Sequence, residues 1–260
     1  MNHVLLKIRN SLQREGLVAT ILRTVKYPAR VVKRQHFARK VLQLNSAEDK
    51  FTWIYKSNHW SSEESASGLG STLKYTEKLR QQLPGLFREH KIRKVFDAPC
   101  GDFNWMRLVV RDTDIDYVGG DIVQPLIQAL NRQYGSSRIR FVHIDLTQGT
   151  FPAADLMICR DCLFHLSFRD TRAVLANFVR SGIPYLLTTS HVNTDGFHNV
   201  DIPTGGFRRI DLYAAPYHFP RGVLSTVDDW VEPDPPRQMG LWSREQVEQA
   251  LSRWRLPQEP

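Results

Sequence analysis

Apolar positions along the chain change period several times, and those changes divide it. Leu5, Ile8, Leu12, Val18, Ile21, Leu22 and Val25 recur at three- to four-residue spacing, a helical stripe that Pro28 ends. Val31, Val32, Phe37, Val41 and Leu42 form a second stripe of the same kind. Residues 51–76 then shift to Ser, Gly and aromatics. Trp53, Tyr55 and Trp60 need a surface to pack on, so this stretch predicts an ordered loop, and a helix over 73–89 follows it. From residue 95 onward short apolar runs alternate with helical patterns. The runs predict strands at 95–97, 117–121, 139–145, 156–160 and 185–189, with helices at 125–134 and 168–180. Alternating βα units of this length predict an α/β fold, a Rossmann-like, doubly wound, mostly parallel sheet with helices on both faces. After Ser190 the pattern changes, and residues 191–236 show no clear helix. Residues 207–213 and 238–242 are expected to pair as an antiparallel edge, joined by a Pro-rich excursion, and a long ordered excursion of this kind usually carries function.

Charge sharpens the division. The formal net charge is +8, yet residues 1–44 hold ten Lys or Arg and one acid, leaving 25 basic and 26 acidic side chains in the rest. The basic character therefore belongs to a helical N-terminal segment, 1–44, and not to the domain expected over 45–260. Three readings of that segment stand: a peripheral contact with an anionic membrane surface, a nucleic-acid arm, or a helical cap on the domain. Three cysteines argue against a disulfide framework and for a reducing compartment. No apolar run approaches the ~20 residues needed to span a bilayer, and the first ten residues lack the apolar core of a secretory signal. The expected location is cytoplasmic, with contact at the inner membrane surface through residues 1–44.

The chemistry concentrates at the predicted strand ends. Residues 94–106 read KVFDAPCGDFNWM: a short buried strand, an acid at its end (Asp97), a tight turn through Gly101, then Asp102. Glycine lets the backbone approach a ligand closely, and in such sheets the ligand crevice lies beyond the carboxyl ends of the strands. Asp121, Asp145 and the pair Arg160–Asp161 end the next three strands. Asp121 is placed to accept hydrogen bonds from both hydroxyls of a ribose, and Asp145 to reach an adenine amine. Each could instead cap a helix or a turn; it is the succession on one edge that defines a ligand rim. The G-x-G-x-x-G of nicotinamide enzymes is absent, as is a Walker loop. Cys159, Cys162 and His165 could in principle join Cys100 around zinc, but the spacing is not a zinc pattern. They read as buried small hydrophobes, and no metal is expected.

This order resembles the class I S-adenosylmethionine-dependent methyltransferases over about residues 51–242. The family's first loop carries an acid and three alternating glycines; the matching positions here are Asp97, Pro99, Gly101 and Phe103, so one glycine remains. The resemblance implies that Asp97 and Gly101 line the methionine moiety of the cofactor S-adenosyl-L-methionine, that Asp121 holds the ribose and Asp145 the adenine, and that Arg160–Asp161 lie beyond the methionine or at the substrate. Residues 160–167, RDCLFHLS, look like the family's fourth motif. The loop WSSEESASGLGS, with DAPCGDFNWM and RQMGLW, is similar to a bacterial group of methyltransferases associated with tailoring of polysaccharides or other small molecules. Glu64, Ser67, Gly68, Gly70 and Ser71 of that loop would form a flexible lid over the cofactor.

If the acceptor is a hydroxyl, a general base is useful. Asp161, His165 and His191 are the candidates on the rim. Asp201, Arg208, Arg209 and Asp211, among the aromatics Phe207, Tyr213, Tyr217 and Phe219, could hold a polar acceptor. The expected activity is O-methylation of a sugar or other small polar acceptor, with a glycan or other polar small molecule as partner. RNA or protein methylation and a non-catalytic adenosyl-binding scaffold are the alternatives. No N-P-P-Y-type segment follows the fourth strand, which makes a nucleic-acid partner the less expected one.

Overall fold

The computed structural model describes Phe37 and residues 39–254. The basic helical segment expected at 1–44 therefore lies almost wholly outside the described residues. From Ser46 the chain forms one compact unit.

Seven strands make one sheet: β1 (Lys94–Asp97), β2 (Asp116–Asp121), β3 (Ile139–His143), β4 (Leu156–Cys159), β5 (Tyr185–His191), β6 (Ser225–Asp228) and β7 (Arg237–Ser243). Their order is β3-β2-β1-β4-β5-β7-β6. The first five pair in parallel, while β7 runs antiparallel to both β5 and β6. The order reverses between β1 and β4, the switch point where α/β sheets open a crevice.

Among the described residues from Ser46 on, six α-helices flank the sheet: α1 (Ala47–Lys56), α2 (Glu77–Glu89), α3 (Met106–Arg111), α4 (Gln124–Tyr134), α5 (Phe168–Ser181) and α6 (Arg244–Arg253). Alternation along the strands feeds two cores. Val95, Tyr117, Leu156 and Ile158 pack with Leu83 of α2, Val109 of α3 and Ile127 of α4. Phe96, Val118, Met157 and Cys159 pack on the other face with Leu175 and Phe178 of α5 and Val247 of α6. Successive strand residues point to opposite faces, so a continuous apolar run such as Leu156–Cys159 is what a strand buried on both faces requires. Serines cap three of the helices. Ser46, Ser167 and Ser243 accept from the backbone N–H of Asp49, Asp170 and Gln246, and Gln246 closes a capping box on α6.

Three expectations change. Residues 51–56 are not loop but the body of α1, which Ser46 starts. β3 stops at His143, two residues short, because Asp145 turns the chain by accepting from Thr147 N–H at 2.8 Å. The antiparallel edge is present, but β7 pairs with β6 (Ser225–Asp228) and not with residues 207–213. That segment is irregular and ends in a turn, with Arg208, Ile210, Asp211 and Leu212 buried. Its N–H groups go elsewhere than β7: Ile210 N donates to His191 Nδ1 and Leu212 N to Ser190 Oγ, while Arg208 N donates to the Phe164 carbonyl. It covers the end of β5 instead of extending the ladder.

Candidate active site

Strand β1 delivers Asp97 to the floor of a cavity of about 360 Å³ at the carboxyl edge of the sheet. Asp97 is buried and accepts from Tyr117 Oη at 2.7 Å. Burial pushes its carboxyl up to about 7, against the Tyr117 hydrogen bond and the Arg160 charge. The turn after it is left-handed at Gly101 (φ 54°), and a Cβ there would run into the Ser67 hydroxyl. Gly101 N donates to Asp121 Oδ2 at 3.2 Å, and Val123 N to Asp121 Oδ1 at 3.0 Å. Asp121 thus ties the first loop to the second. Burial raises its pKa, opposed by those backbone donors. Asp145 also lines the cavity, its carboxylate accepting from Thr147 and Gln148.

The loop ahead of β1 closes over this rim, and it is strapped down. Ser65 Oγ, Ala66 N and Ser67 Oγ all donate to the Asp102 carboxylate, and Asp102 N donates to Ser67 Oγ. Asn104 Nδ2 donates to both Glu64 Oε1 and the Ser71 carbonyl. Gly68 (φ 95°) and Gly70 line the cavity from above. Glu64 does not reach it: its carboxylate holds Leu73 N at 2.6 Å and Asn104 at 2.8 Å. Glu64 is therefore an anchor of the lid. Asp102→Ala removes the acceptor of those three loop donors and of Asn104 N. It should lower stability by about 1–3 kcal/mol and make residues 60–72 the first protease cut, as thermal melts and limited proteolysis would show. An unchanged digestion pattern would refute the strap.

Beyond β4 lies a buried ion-pair network. Arg160 donates from Nε and Nη2 to the two carboxylate oxygens of Asp229, at 3.0 and 2.8 Å, and from Nη2 to the Gly70 carbonyl at 2.8 Å. Asp161 is left-handed (φ 52°) and meets Arg237 Nη1 at 2.9 Å and Arg160 Nη1 at 3.4 Å. Burial works against its ionisation, but the Arg160 and Arg237 guanidiniums outweigh that and hold the carboxyl below the usual range. A carboxylate so paired is a weak base, which leaves Asp161 a positioning role. Sequence reasoning gave no role to Asp229, on the turn after β6, which lies in the Pro-rich excursion, or to Arg237, which opens β7 and the RQMGLW segment.

His165 lines the cavity within an aromatic group. Trp60, Phe164 and Phe207 lie 5.8, 4.6 and 5.9 Å from it, ring centre to ring centre. His165 Nδ1 is 2.7 Å from the Gly206 carbonyl, so it carries the proton and donates. Nε2 is then the lone-pair nitrogen, with no hydrogen bond among the described residues. Burial holds the imidazole below its usual pKa. His191 sits elsewhere. It is buried at the end of β5 behind Phe164, is not among the cavity's lining residues, and its Nδ1 accepts from Ile210 N at 3.2 Å. Strand alternation turns it away from the rim.

The polar residues expected to hold an acceptor are largely consumed. Arg208 stacks on Phe168 and donates to Tyr217 Oη at 2.7 Å. Arg209 pairs with Asp195 and stacks on Phe197. Asp201 accepts from Phe168 N, and Asp211 from Tyr213 N. Of that excursion, Phe207 lines the cavity and is 60% exposed. Among the described residues no group of three or more His, Cys, Asp or Glu is placed to hold a metal. No described helix is long and apolar enough to cross a membrane.

No family model matches the sequence, and no curated protein shows significant similarity to it. Solved structures do match in fold. Human N-acetylserotonin methyltransferase in complex with SAM is 15% identical, covering 91% of this chain and 69% of that one, with a TM-score of 0.56. A SAM-dependent methyltransferase of Leishmania major is 14% identical, covering 76% and 87%, with a TM-score of 0.56. Magnesium protoporphyrin IX methyltransferase of Synechocystis with bound SAM is 12% identical, covering 78% and 99%, with a TM-score of 0.53. The shared property is the architecture: this chain has the class I methyltransferase fold. Its own residues fit an adenosyl sulfonium. Asp97, Asp121, Asp145 and Asp161 line the cavity, and both arginines in it are already paired to carboxylates.

Proposed function

We propose that the protein is an S-adenosylmethionine-dependent methyltransferase acting on a hydroxyl of a small polar acceptor, a sugar being the class we favour. The observation that carries this is His165: its Nδ1–H is fixed on the Gly206 carbonyl, and its neutral Nε2 is left to take a proton at the cavity wall. When bound, the cofactor supplies an electrophilic methyl group open to in-line displacement. The chain's part is to hold and orient. Asp121 accepts from the ribose, Asp145 faces the adenine, and the strapped lid excludes water. Trp60 and Phe207 offer ring faces on which the C–H face of a sugar can rest. A reducing, cytoplasmic setting suits three buried, unbridged cysteines.

Calorimetry with S-adenosylmethionine and S-adenosylhomocysteine tests the cofactor, and release of S-adenosylhomocysteine over a panel of glycosides tests the acceptor. Binding without release on any hydroxyl compound would favour the scaffold reading. The Asp97 carboxyl adds a signature. Pushed up to about 7, it is partly protonated in the free protein near neutrality. A cationic ligand favours the carboxylate, so binding should release a proton and tighten as pH rises through about 7. Titrations at pH 6.5 in two buffers of different ionisation enthalpy should show the release; identical heats would count against it.

A further inference from the structure

Two buried polar atoms next to the ion-pair network have no hydrogen-bond partner among the described residues: Arg237 Nη2 and Tyr75 Oη. They are neighbours, the Arg237 guanidinium lying 4.9 Å from the Tyr75 ring centre. The other guanidinium nitrogens are engaged, Nε with the Asp229 carbonyl at 2.9 Å and Nη1 with Asp161 at 2.9 Å. Nη2 comes within 3.5 Å of Asp229 Oδ2 without hydrogen-bond geometry. The side chain is only 9% exposed, yet it lines the cavity. Above it is Gly70, where a Cβ would lie 3.5 Å from Nη2 and 3.1 Å from Asp161 Oδ2. Buried donors are rarely left unmatched, and a guanidinium in a cavity matches a carboxylate best.

The sheet indicates whose carboxylate. Arg237 pairs in register with His191 of β5, but its side chain reaches past β5 to Asp161 at the end of β4. Along the rim the ligand-facing groups run Asp145 after β3, Asp121 on β2, Gly101 after β1 and Asp161 after β4, on strands about 4.8 Å apart. An adenosyl group laid on Asp145 and Asp121 sends its amino-acid tail across β1 toward β4. We propose that Arg237 and Tyr75 form a carboxylate clamp for that tail, with Asp161 Oδ2, 3.4 Å from Arg160 Nη1, keeping a lone pair for its ammonium. This rests on the cofactor named in the proposed function. Burial pushes the Tyr75 hydroxyl up to about 12, so it keeps its proton and donates.

Calorimetry on the full chain with S-adenosylhomocysteine and 5′-methylthioadenosine, which lacks the tail, isolates the clamp. The tailed compound should bind at least about 10-fold tighter to the wild type. Tyr75→Phe should weaken it about 3–10-fold and Arg237→Lys about 10–100-fold, each leaving 5′-methylthioadenosine within about twofold. Tyr75→Phe removes a hydroxyl that has no partner, so it folds and carries the test even where the Arg237 variant does not. An unchanged ratio of the two affinities in the variants overturns the clamp and leaves these groups to water or to an acceptor's carboxylate. If the wild type binds both compounds equally, the clamp alone falls. If it binds neither, the methyltransferase reading falls with it.

Discussion

Asp121→Ala is expected to raise the dissociation constant for S-adenosylhomocysteine by about 100-fold or more, read by calorimetry. Two effects act together. A carboxylate accepting from both ribose hydroxyls makes two charge-assisted bonds, each worth about 1.5–3 kcal/mol. The same carboxylate also organises the apo site, since Asp121 holds Gly101 N and Val123 N. Its loss leaves two backbone donors near the cavity without their partner and frees the turn that must lie against the cofactor. Asp121→Asn separates the two effects. The amide oxygen can keep one backbone bond and the shape is conserved, so thermal stability should recover more than affinity does. An Ala variant that binds as well as the wild type would remove the rim from the cofactor site.

His165→Gln is expected to lower kcat by about 10²–10⁴-fold, the usual contribution of a positioned base, with S-adenosylhomocysteine affinity within about twofold. The readout is S-adenosylhomocysteine release on an acceptor identified from the glycoside panel. The pH profile carries the sign. The base works unprotonated, and burial holds its pKa below 6.5. The rate should therefore climb from acid pH, level off before neutrality, and lose that limb in the variant. His191→Gln should keep the limb. His191, pushed down to about 4 by burial, is neutral when folded. Its depressed pKa contributes stability that is present above the unfolded value near 6.5 and lost as pH falls toward 4. Its substitution should show in an acid melting curve and not in kcat. A His191 variant that loses turnover while His165→Gln retains it would reverse the assignment.

These two histidines mark the limit of reading the chain alone. Both follow apolar strands closely and both stood as rim candidates. Which one faces the cavity depends on strand alternation at the end of β5, and on a 3-10 turn at Leu163–His165 that swings the ring beside Trp60 and Phe207. Asp102 shows the same gap. Its partners, residues 65–67, lie far back in the sequence, and nothing local to either segment announces the other. Residues 207–213 read as an edge strand, but local sequence cannot tell a strand in the ladder from a segment whose N–H groups go largely to side chains.

What the sequence by itself determined is the set of local relations: which runs are apolar enough to be buried strands, where Asp97, Asp121 and Gly101 end them, and hence the α/β class and an acid-lined rim. Those features are written in neighbouring residues, because strand burial and turn geometry are short-range. What only the tertiary structure decided is pairing across the sheet. Arg160 with Asp229, Arg237 with Asp161, Tyr75 beneath Arg237 and the lid strapped to Asp102 join distant segments. Many pairings of the chain's arginines and acids satisfy charge equally well on paper. The packed strand order β3-β2-β1-β4-β5-β7-β6 selects among them, by bringing those side chains within reach of one another.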